Sequence, residues 1–351
     1  MPPTDVTVLL LHPEPGPAAG SLVAAVGAAR LALAERHSTG FRAAGATEVR
    51  LLSGPPDDTP FGRRLRDLAR AARRGGIVVL GSGAIPLATA DDRRCFVQAA
   101  AASTPGALAN NRYSADVVAI AAAHEVLADL PDLAADNELP RWLEESAGIP
   151  VTDLRRRWRL GIDIDGPLDL VLLGDRAAAG LTGDVTGTVR DRLDRISNVA
   201  SDHRAELVVA GRTSASTLAW LERSTAARTR ALVEERGLRT SRAGQRPPVS
   251  TLGLLLDRDG PAAFGAILAR LGEAAIVDTR VLLAHRAGPD ERAWPTAEDR
   301  FASDLLLPDR IVDPWLRDLT ASAVSASVPI LLGGHTLVGP GLRLALGRAR
   351  P

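Results

Sequence analysis

The sequence predicts an α/β protein in which a mostly parallel sheet is flanked by helices and is followed by a second α/β half. Two observations predict this class: short apolar runs alternate with longer helical patterns, and turns containing glycine or proline close the runs. In the first half the predicted strands and helices alternate along the chain over Val6–Leu11, Ser21–His37, Glu48–Leu52, Arg63–Arg74 and Gly76–Leu80. This order is typical of a sheet with helices on both faces.

The second half continues the alternation with less regular spacing. Leu207–Ala210 is a predicted strand, and Gly211–Ser214 opens a predicted helix that runs to about Arg236 and stops at Gly237. Further predicted strands are Leu252–Leu256, Ala275–Leu283 and Val328–Leu332. A block of polar motifs ends near residue 175, so the expected domains are residues 1–175 and residues 176–351.

Composition excludes several classes of chemistry. The chain of 351 residues has a formal net charge of zero, because 42 arginines balance 42 acidic residues, and it contains no lysine. A P-loop lysine, a Schiff-base lysine and a lysine general base are therefore excluded. Cys95 is the only cysteine, which excludes an internal disulfide and a cysteine-rich zinc cluster. The zero net charge disfavours nucleic acid as a partner.

The location expected from the sequence is the cytoplasm. Residues Met1–Asp5 lack the basic region of a signal peptide. Apart from weakly apolar alanine-rich runs, no stretch free of charges and breakers reaches the roughly 18 residues of a membrane span. No membrane is therefore expected among the partners.

The most informative segment runs from Leu160 to Leu170 and contains two acids in alternation, Asp163 and Asp165. Alternating residues of a strand point to the same face, so both carboxylates are expected on one side of a predicted strand. Two carboxylates at a strand end suit a hard divalent cation such as Mg²⁺. The alternative is that one of the acids caps the helix that starts at Leu168.

This segment resembles the Asp-Xaa-Asp-Thr-Pro-Xaa-Asp-Leu block of the MobA-like nucleotidyltransferases, a family that includes the molybdenum-cofactor and phospholactate guanylyltransferases. Leu80–Leu87 is similar to the family's Gly-Ser-Asp-Xaa-Pro-Leu block, and Leu108–Asp116 falls where the family has a substrate-contacting loop. The resemblance covers roughly residues 1–175 and implies a GT-A-like, Rossmann-like fold.

The resemblance also implies an activity and a set of site residues. The activity is Mg²⁺-dependent transfer of a nucleoside monophosphate from a nucleoside triphosphate to a small-molecule acceptor. Asp163 and Asp165 would be the catalytic acids and would hold the metal. The nucleotide and substrate ligands expected in this half are Gly81, Ser82, Gly83, Asn110, Asn111 and Arg112.

Two departures from the family pattern keep other functions open. Gly83 stands where the family has a metal-binding acid, and the loop after the first predicted strand, residues 12–20, has neither arginine nor lysine. Arg30 or Arg112 could supply the missing charge, and the loop could offer N–H groups at a helix start. The first alternative is a nucleotide-binding or nucleotide-sugar-binding regulatory protein without turnover. The second is a GT-A-like glycosyltransferase that uses a nucleotide-sugar donor.

The second half offers further candidate ligand-binding residues. Gly211, Arg212 and Thr213 follow a predicted strand and open a helix, which suits an anion, although an ordinary capped turn explains the same residues. His335 follows two glycines at the end of another predicted strand. Convergence of four charged or titratable residues would make a polar pocket, and a buried ion-pair network is the simpler alternative; they are Asp278, Arg280, Asp304 and His335.

Overall fold

A computed structural model describes residues 5–72, 75–238 and 246–347. Its internal contacts divide the chain into two compact units. The amino-terminal unit comprises Met1–Ala18 and Gly27–Ile164, and the carboxy-terminal unit comprises Ala19–Val26 and Asp165–Pro351. Each unit has its own sheet with flanking helices, which confirms the predicted α/β class.

The sheet of the amino-terminal unit has six strands in the order β2-β1-β3-β5-β4-β6. Among the described strands of this sheet only β5 runs antiparallel to its neighbours. In the register of the central strands, Leu10 lies opposite Leu51 on one side and Leu80 on the other. The strands are β1 (Val6–Pro13), β2 (Glu48–Gly54), β3 (Gly76–Gly81), β4 (Ala107–Ala109), β5 (Val117–Ile120) and β6 (Val151–Asp153).

Helices cover both faces of this sheet because its central strands are apolar on both sides. Leu10 packs on one face with Phe41 and Phe96, and Leu9 packs on the other face with Leu65. The helices are α1 (Ser21–Ala43), which spans the division between the units, α2 (Phe61–Ala71), α3 (Ala90–Ala100), α4 (Ala123–Val126) and α5 (Leu139–Glu145). This two-sided burial explains why the strands are short continuous apolar runs.

The start of α3 is fixed by a buried carboxylate. Thr89 and Asp92 form a capping box, in which the Thr89 side chain accepts from the backbone of Asp92 and the carboxylate accepts from the backbone of Thr89. Asp92 also receives hydrogen bonds from Arg157 and Arg159. Burial alone would raise the pKa of Asp92, but these donors lower it below its ordinary value. The network ties α3 to the segment that precedes Asp163.

The carboxy-terminal unit has four parallel strands in the order β10-β9-β7-β8. They are β7 (Glu206–Gly211), β8 (Arg228–Val233), β9 (Ala274–Asp278) and β10 (Ile330–Gly333). The helices of this unit are α6 (Pro167–Leu173), α7 (Gly183–Ala200), α8 (Ala215–Ser224), α9 (Thr251–Asp259), α10 (Phe264–Ala269), α11 (Thr279–Ala287), α12 (Ala297–Asp304), α13 (Pro314–Ser325), α14 (His335–Val338) and α15 (Leu342–Leu346).

Three element predictions in this half were wrong. The helix predicted to reach Arg236 ends at Ser224 and is followed by β8. The arginines of β8 do not prevent strand formation, because β8 is an edge strand that pairs with β7 and leaves side chains at the surface. Leu252–Leu256 is helical, since Ser250 caps α9 and the buried Leu252 and Leu256 are one turn apart. The run Ala275–Leu283 changes from strand to helix at Asp278, whose side chain accepts the N–H of Arg280.

In the described part of the chain, no helix combines the length and the apolar character that crossing a membrane requires.

Candidate functional site

The first candidate site lies at the carboxyl ends of β1 and β3. The two strands are parallel neighbours, with β2 on the outer side of β1 and β5 on the outer side of β3. The chain therefore leaves β1 and β3 in opposite directions, which makes this point a topological switch point. In open α/β sheets, ligands bind in the crevice outside the carboxyl ends of the strands at such a point.

A buried histidine and a buried serine meet at this edge. His12 Nδ1 and Ser82 Oγ are 3.0 Å apart, and the Ser82 N–H donates to the carbonyl of Leu11. Burial lowers the pKa of His12, and nearby Arg30 lowers it further, against the opposing effect of Glu14. A neutral His12 can therefore fix the Ser82 hydroxyl, and with it the backbone of the predicted Gly81–Gly83 segment.

The segment around Gly83 contacts the segment around Asp163, although the two are 80 residues apart in the sequence. Ala84 pairs with Asp163 in an antiparallel bridge, and the N–H of Ile164 donates to the carbonyl of Gly83 over 3.0 Å. Arg30 Nε donates to the carbonyl of Ile164 over 2.6 Å. The two motif segments therefore form one structure beside the β1/β3 edge.

Gly83 is required by this close approach. A Cβ at this position would lie 2.8 Å from Asp163 Oδ1, 2.9 Å from the Ile164 carbonyl oxygen and 3.1 Å from Arg30 Nε. An acid cannot be accommodated here without moving the Asp163 segment. The packing therefore requires glycine at position 83, where the family that the sequence resembles has an acid.

We expect Gly83→Ala to lower the free energy of unfolding by about 1–3 kcal/mol, because overpacking forces the neighbouring backbone to shift. Gly83→Asp should lower the free energy of unfolding by at least as much, and it should not increase the activity of the protein. Urea unfolding of the full chain measures both changes. Gly81→Ala is the matched control, since no atom of the described residues lies within 4 Å of a Cβ built at Gly81. Equal unfolding midpoints for the Gly83→Ala and Gly81→Ala variants would contradict the packing argument.

The predicted strand carrying Asp163 and Asp165 is absent from the described secondary structure, and only the single bridge at Asp163 is formed. The predicted alternation is nevertheless present in burial: Ile162 and Ile164 are 1% and 2% exposed, and the two acids between and after them are half-buried. The two acids belong to different units. Asp163 Oδ1 accepts the N–H of Ile164, and the N–H of Asp165 donates to Asp169.

Asp163 and Asp165 are the side chains that the sequence predicts as metal ligands. Across residues 5–72, 75–238 and 246–347, no group of three or more His, Cys, Asp or Glu side chains could hold a metal ion. Mg²⁺, however, commonly takes only one or two carboxylates and completes its shell with water and substrate phosphates. The carboxylate of Asp163 could therefore be one ligand of a Mg²⁺ ion whose other ligands are water and phosphate oxygens.

The predicted substrate loop contains one buried structural residue and two half-buried residues. Asn110 is 2% exposed, its Nδ2 donates to Asp116 and to the carbonyl of Leu160, and its Oδ1 accepts two backbone N–H groups. These four hydrogen bonds use both donor positions and both acceptor positions of the side-chain amide. The Asn110 side chain therefore holds the loop and has no position left for a ligand. Asn111 Oδ1 accepts the N–H of Tyr113, and Arg112 forms an ion pair with Glu144.

The N–H groups at the start of α1 already have an anionic partner. Leu22 and Val23 donate to the carboxylate of Glu298 over 3.1–3.2 Å, and Arg310 Nη2 lies 3.1 Å from the same carboxylate. The N–H groups that the sequence offered as a possible anion site are therefore bonded to an acid of this chain at Leu22 and Val23. These two residues and Glu298 all belong to the carboxy-terminal unit, and the carboxylate lies where a helix N-terminus attracts an anion.

The second candidate site is the carboxyl edge of the sheet in the carboxy-terminal unit. Arg212 makes a bidentate pair with Asp278, at 2.6 Å from Nε and 3.1 Å from Nη2. Their side chains are 9% and 0% exposed. Gly211 has a φ of +127°, and a Cβ there would collide with the side chain of Asp278, so glycine is needed for the pair to form. The anion site predicted at Gly211, Arg212 and Thr213 therefore differs from the expectation, because Asp278 neutralises the charge of Arg212.

Arg280 and Asp304 make a second buried bidentate pair, with Nη2 at 2.6 Å from Oδ2. Burial alone would lower the pKa of Arg280, but the carboxylate of Asp304 raises it above its ordinary value. Asp278 also accepts the backbone N–H of Arg280, so three of the four predicted residues converge as an ion-pair network. His335 is exposed at the start of α14.

Several residues of these sites had not been predicted. Glu298 caps a helix 276 residues away in the sequence, a separation that local patterns cannot reveal. Asp169 lies beside the Arg280 network, and burial, with the charge of Asp165, raises its pKa to about 8. His12 did carry a signal, since it follows an apolar strand directly. Comparison with family models and with curated proteins gives no match for this chain.

Proposed function

We propose that the amino-terminal unit binds a nucleoside triphosphate at the carboxyl edge of β1 and β3 and transfers its nucleoside monophosphate to a small-molecule acceptor. The support is the contact between the Gly81–Gly83 segment and the Asp163 segment at a topological switch point. Both segments had been assigned to one site from the sequence resemblance alone. Because nucleoside triphosphates are intracellular compounds, we place the proposed reaction in the cytoplasm.

In this proposal each residue has a limited role. The backbone of Gly81–Gly83 lies against the nucleotide, and His12 keeps Ser82 in place. Asp163 would hold Mg²⁺ together with phosphate oxygens, and Asp165 stays a predicted second ligand. When bound, Mg²⁺ supplies charge neutralisation for the triphosphate and the leaving pyrophosphate. Arg30, whose guanidinium lies beside Gly83, is the cationic side chain that would stabilise charge developing on the phosphate.

Binding without turnover is the second candidate function. One observation favours it: the chain contains no lysine, whereas a triphosphate normally needs cationic side chains for transfer. Both proposals share the nucleotide, and they differ in whether pyrophosphate is released.

Calorimetric titration of the full chain with ATP, GTP, CTP and UTP, with and without Mg²⁺, tests the shared part. We expect one triphosphate to bind only with Mg²⁺ and its affinity to fall at least about tenfold in Asp163→Asn, because a carboxylate ligand of the metal is lost. Asp91→Asn is the matched control, since Asp91 is a highly exposed acid on α3. Equal affinities for the two variants would refute the role of Asp163.

Product analysis separates the activities once the nucleotide is known. Release of pyrophosphate in the presence of a panel of phosphorylated and hydroxylated acceptors supports the transferase. Tight binding without release supports the binding protein. Release of a nucleoside diphosphate from a nucleotide-sugar would identify a glycosyltransferase instead and would refute nucleotidyl transfer.

A further inference from the structure

The carboxy-terminal unit has a topological switch point of its own. In the order β10-β9-β7-β8, the strands β7 and β9 are parallel neighbours, and the chain leaves them toward opposite edges of the sheet. In open α/β sheets ligands bind outside the carboxyl ends of the strands at such a point, which here are the ends of β7 and β9. Helix α14 packs against both strands and brings the Gly333–Thr336 segment to the same edge.

The charged residues at this edge do not suit an anion. Arg212 is paired with Asp278 and Arg280 with Asp304, so each guanidinium is neutralised by a carboxylate of the chain. A phosphate group at this edge would lie beside the carboxylates of both pairs, whose negative charges repel it. The ligand must therefore be one that carries no large negative charge.

Two buried hydroxyl groups at this edge have no hydrogen-bond partner within the part of the chain that the structure describes. Thr213 is 0% exposed and follows β7, and Thr336 is 2% exposed and lies in α14. A buried hydroxyl without a partner is unfavourable, because it has lost its hydrogen bonds to water and gained none in return. Thr213 directly follows Arg212 in the sequence. Gly334 is two residues before Thr336, and a Cβ placed at Gly334 would lie 3.7 Å from Arg280 Nε.

We propose that this edge of the carboxy-terminal unit is a binding site for an uncharged polyhydroxylated molecule, a sugar or a cyclic polyol. Each hydroxyl of such a ligand can donate to a carboxylate or to a threonine and can accept from a guanidinium. The ligand would supply the partners that Thr213 and Thr336 lack, and it would leave both ion pairs intact. All residues of this site belong to the carboxy-terminal unit, whereas the proposed nucleotide site was assigned to the amino-terminal unit.

The test uses the full chain with glucose, ribose and myo-inositol as probes and inorganic phosphate as the anionic probe. A ligand that binds only the native state raises the unfolding temperature. We expect at least one polyol to do so and phosphate to have no effect. The double variant Thr213→Val/Thr336→Val should bind that polyol at least about tenfold more weakly, because sites built around hydroxyl hydrogen bonds lose affinity when these are removed.

A stability measurement on the unliganded protein distinguishes a ligand-binding role from a structural one. The double variant should unfold at the same or a higher temperature than the wild type, since it removes polar groups that lack partners. Thr320→Val is the matched control: Thr320 is fully buried and its hydroxyl is bonded to Ser303 and to the Leu316 carbonyl, so this variant should lose stability and keep the polyol response.

Three results would overturn the proposal. They are stabilisation by phosphate and by no polyol, no response to any of the four probes, and an undiminished polyol response in the double variant. Asp163→Asn should leave the polyol response unchanged, so the failure of this proposal and the failure of the nucleotide proposal can be told apart.

Discussion

Replacing Asp304 by alanine is expected to lower the free energy of unfolding of the carboxy-terminal unit by about 3–5 kcal/mol. The reason is that Arg280 would remain buried with its principal counter-charge removed. In the structure both side chains are nearly excluded from solvent, at 13% and 3% exposure, and the guanidinium is held by two parallel contacts. A buried charge that loses its partner retains its desolvation cost and loses its compensating attraction.

Hydrogen exchange of the β9 and β10 amides along a urea titration measures this loss for the unit itself. Asp191→Ala is the control, because Asp191 is 66% exposed and its ion pair with Arg195 is worth at most about 1 kcal/mol. The double variant Arg280→Met/Asp304→Leu should recover most of the loss, since it removes both charges. Similar unfolding free energies for Asp304→Ala and Asp191→Ala would contradict the assignment of a buried ion pair.

Acidification below pH 6.5 is expected to destabilise the amino-terminal unit through His37. The ring is fully buried, and Nε2 donates to the carbonyl of Ala84 over 2.9 Å, next to the bridge with Asp163. Burial lowers the pKa of His37 from 6.5 to about 4, and the charges of Arg93 and Arg36 lower it further against the hydrogen bond to Ala84.

The sign follows from proton binding. Between pH 6.5 and 4 the unfolded chain protonates His37 and the folded chain does not, so the unfolded state binds more protons. The contribution of His37 to the free energy of unfolding is therefore fully present above pH 6.5. It is lost as the pH drops from 6.5 to 4, by at most about 1.4 kcal/mol per pH unit. His37→Gln, which keeps an N–H donor, should have a shallower dependence over the same window. Parallel curves for the wild type and the variant would refute the assignment.

The sequence predicted those elements in which the local pattern of residues and the long-range contacts favour the same structure. β1 and β3 were predicted because continuous apolar runs closed by turns have few alternatives, and their carboxyl ends carry the candidate nucleotide site. The similarity of the Gly83 and Asp163 segments to motifs of one family indicated that they belong together. The structure adds the physical reason for glycine at position 83, which is the close approach of the Asp163 segment.

The remaining features depend on contacts that no local pattern encodes. The edge strand β8 contains two arginines and was predicted as helix, because its pairing with β7 lies outside the segment itself. Asp278 and Arg280 were expected within a strand, whereas Asp278 ends the strand and caps the next helix. Glu298 and Thr336 acquire their roles only when distant elements pack together. Neither a cap for α1 nor a hydroxyl without a partner among the described residues could be inferred from the sequence.

The most direct test of the central proposal is hydrogen exchange of the full chain with Mg²⁺ and each of the four nucleoside triphosphates. We expect one of them to protect the amides of Gly81, Ser82 and Gly83, and we expect Asp163→Asn to abolish this protection while Asp91→Asn retains it. If no triphosphate protects these amides, or if protection is confined to the carboxy-terminal unit, the β1/β3 edge is not a nucleotide site and the proposed function is wrong.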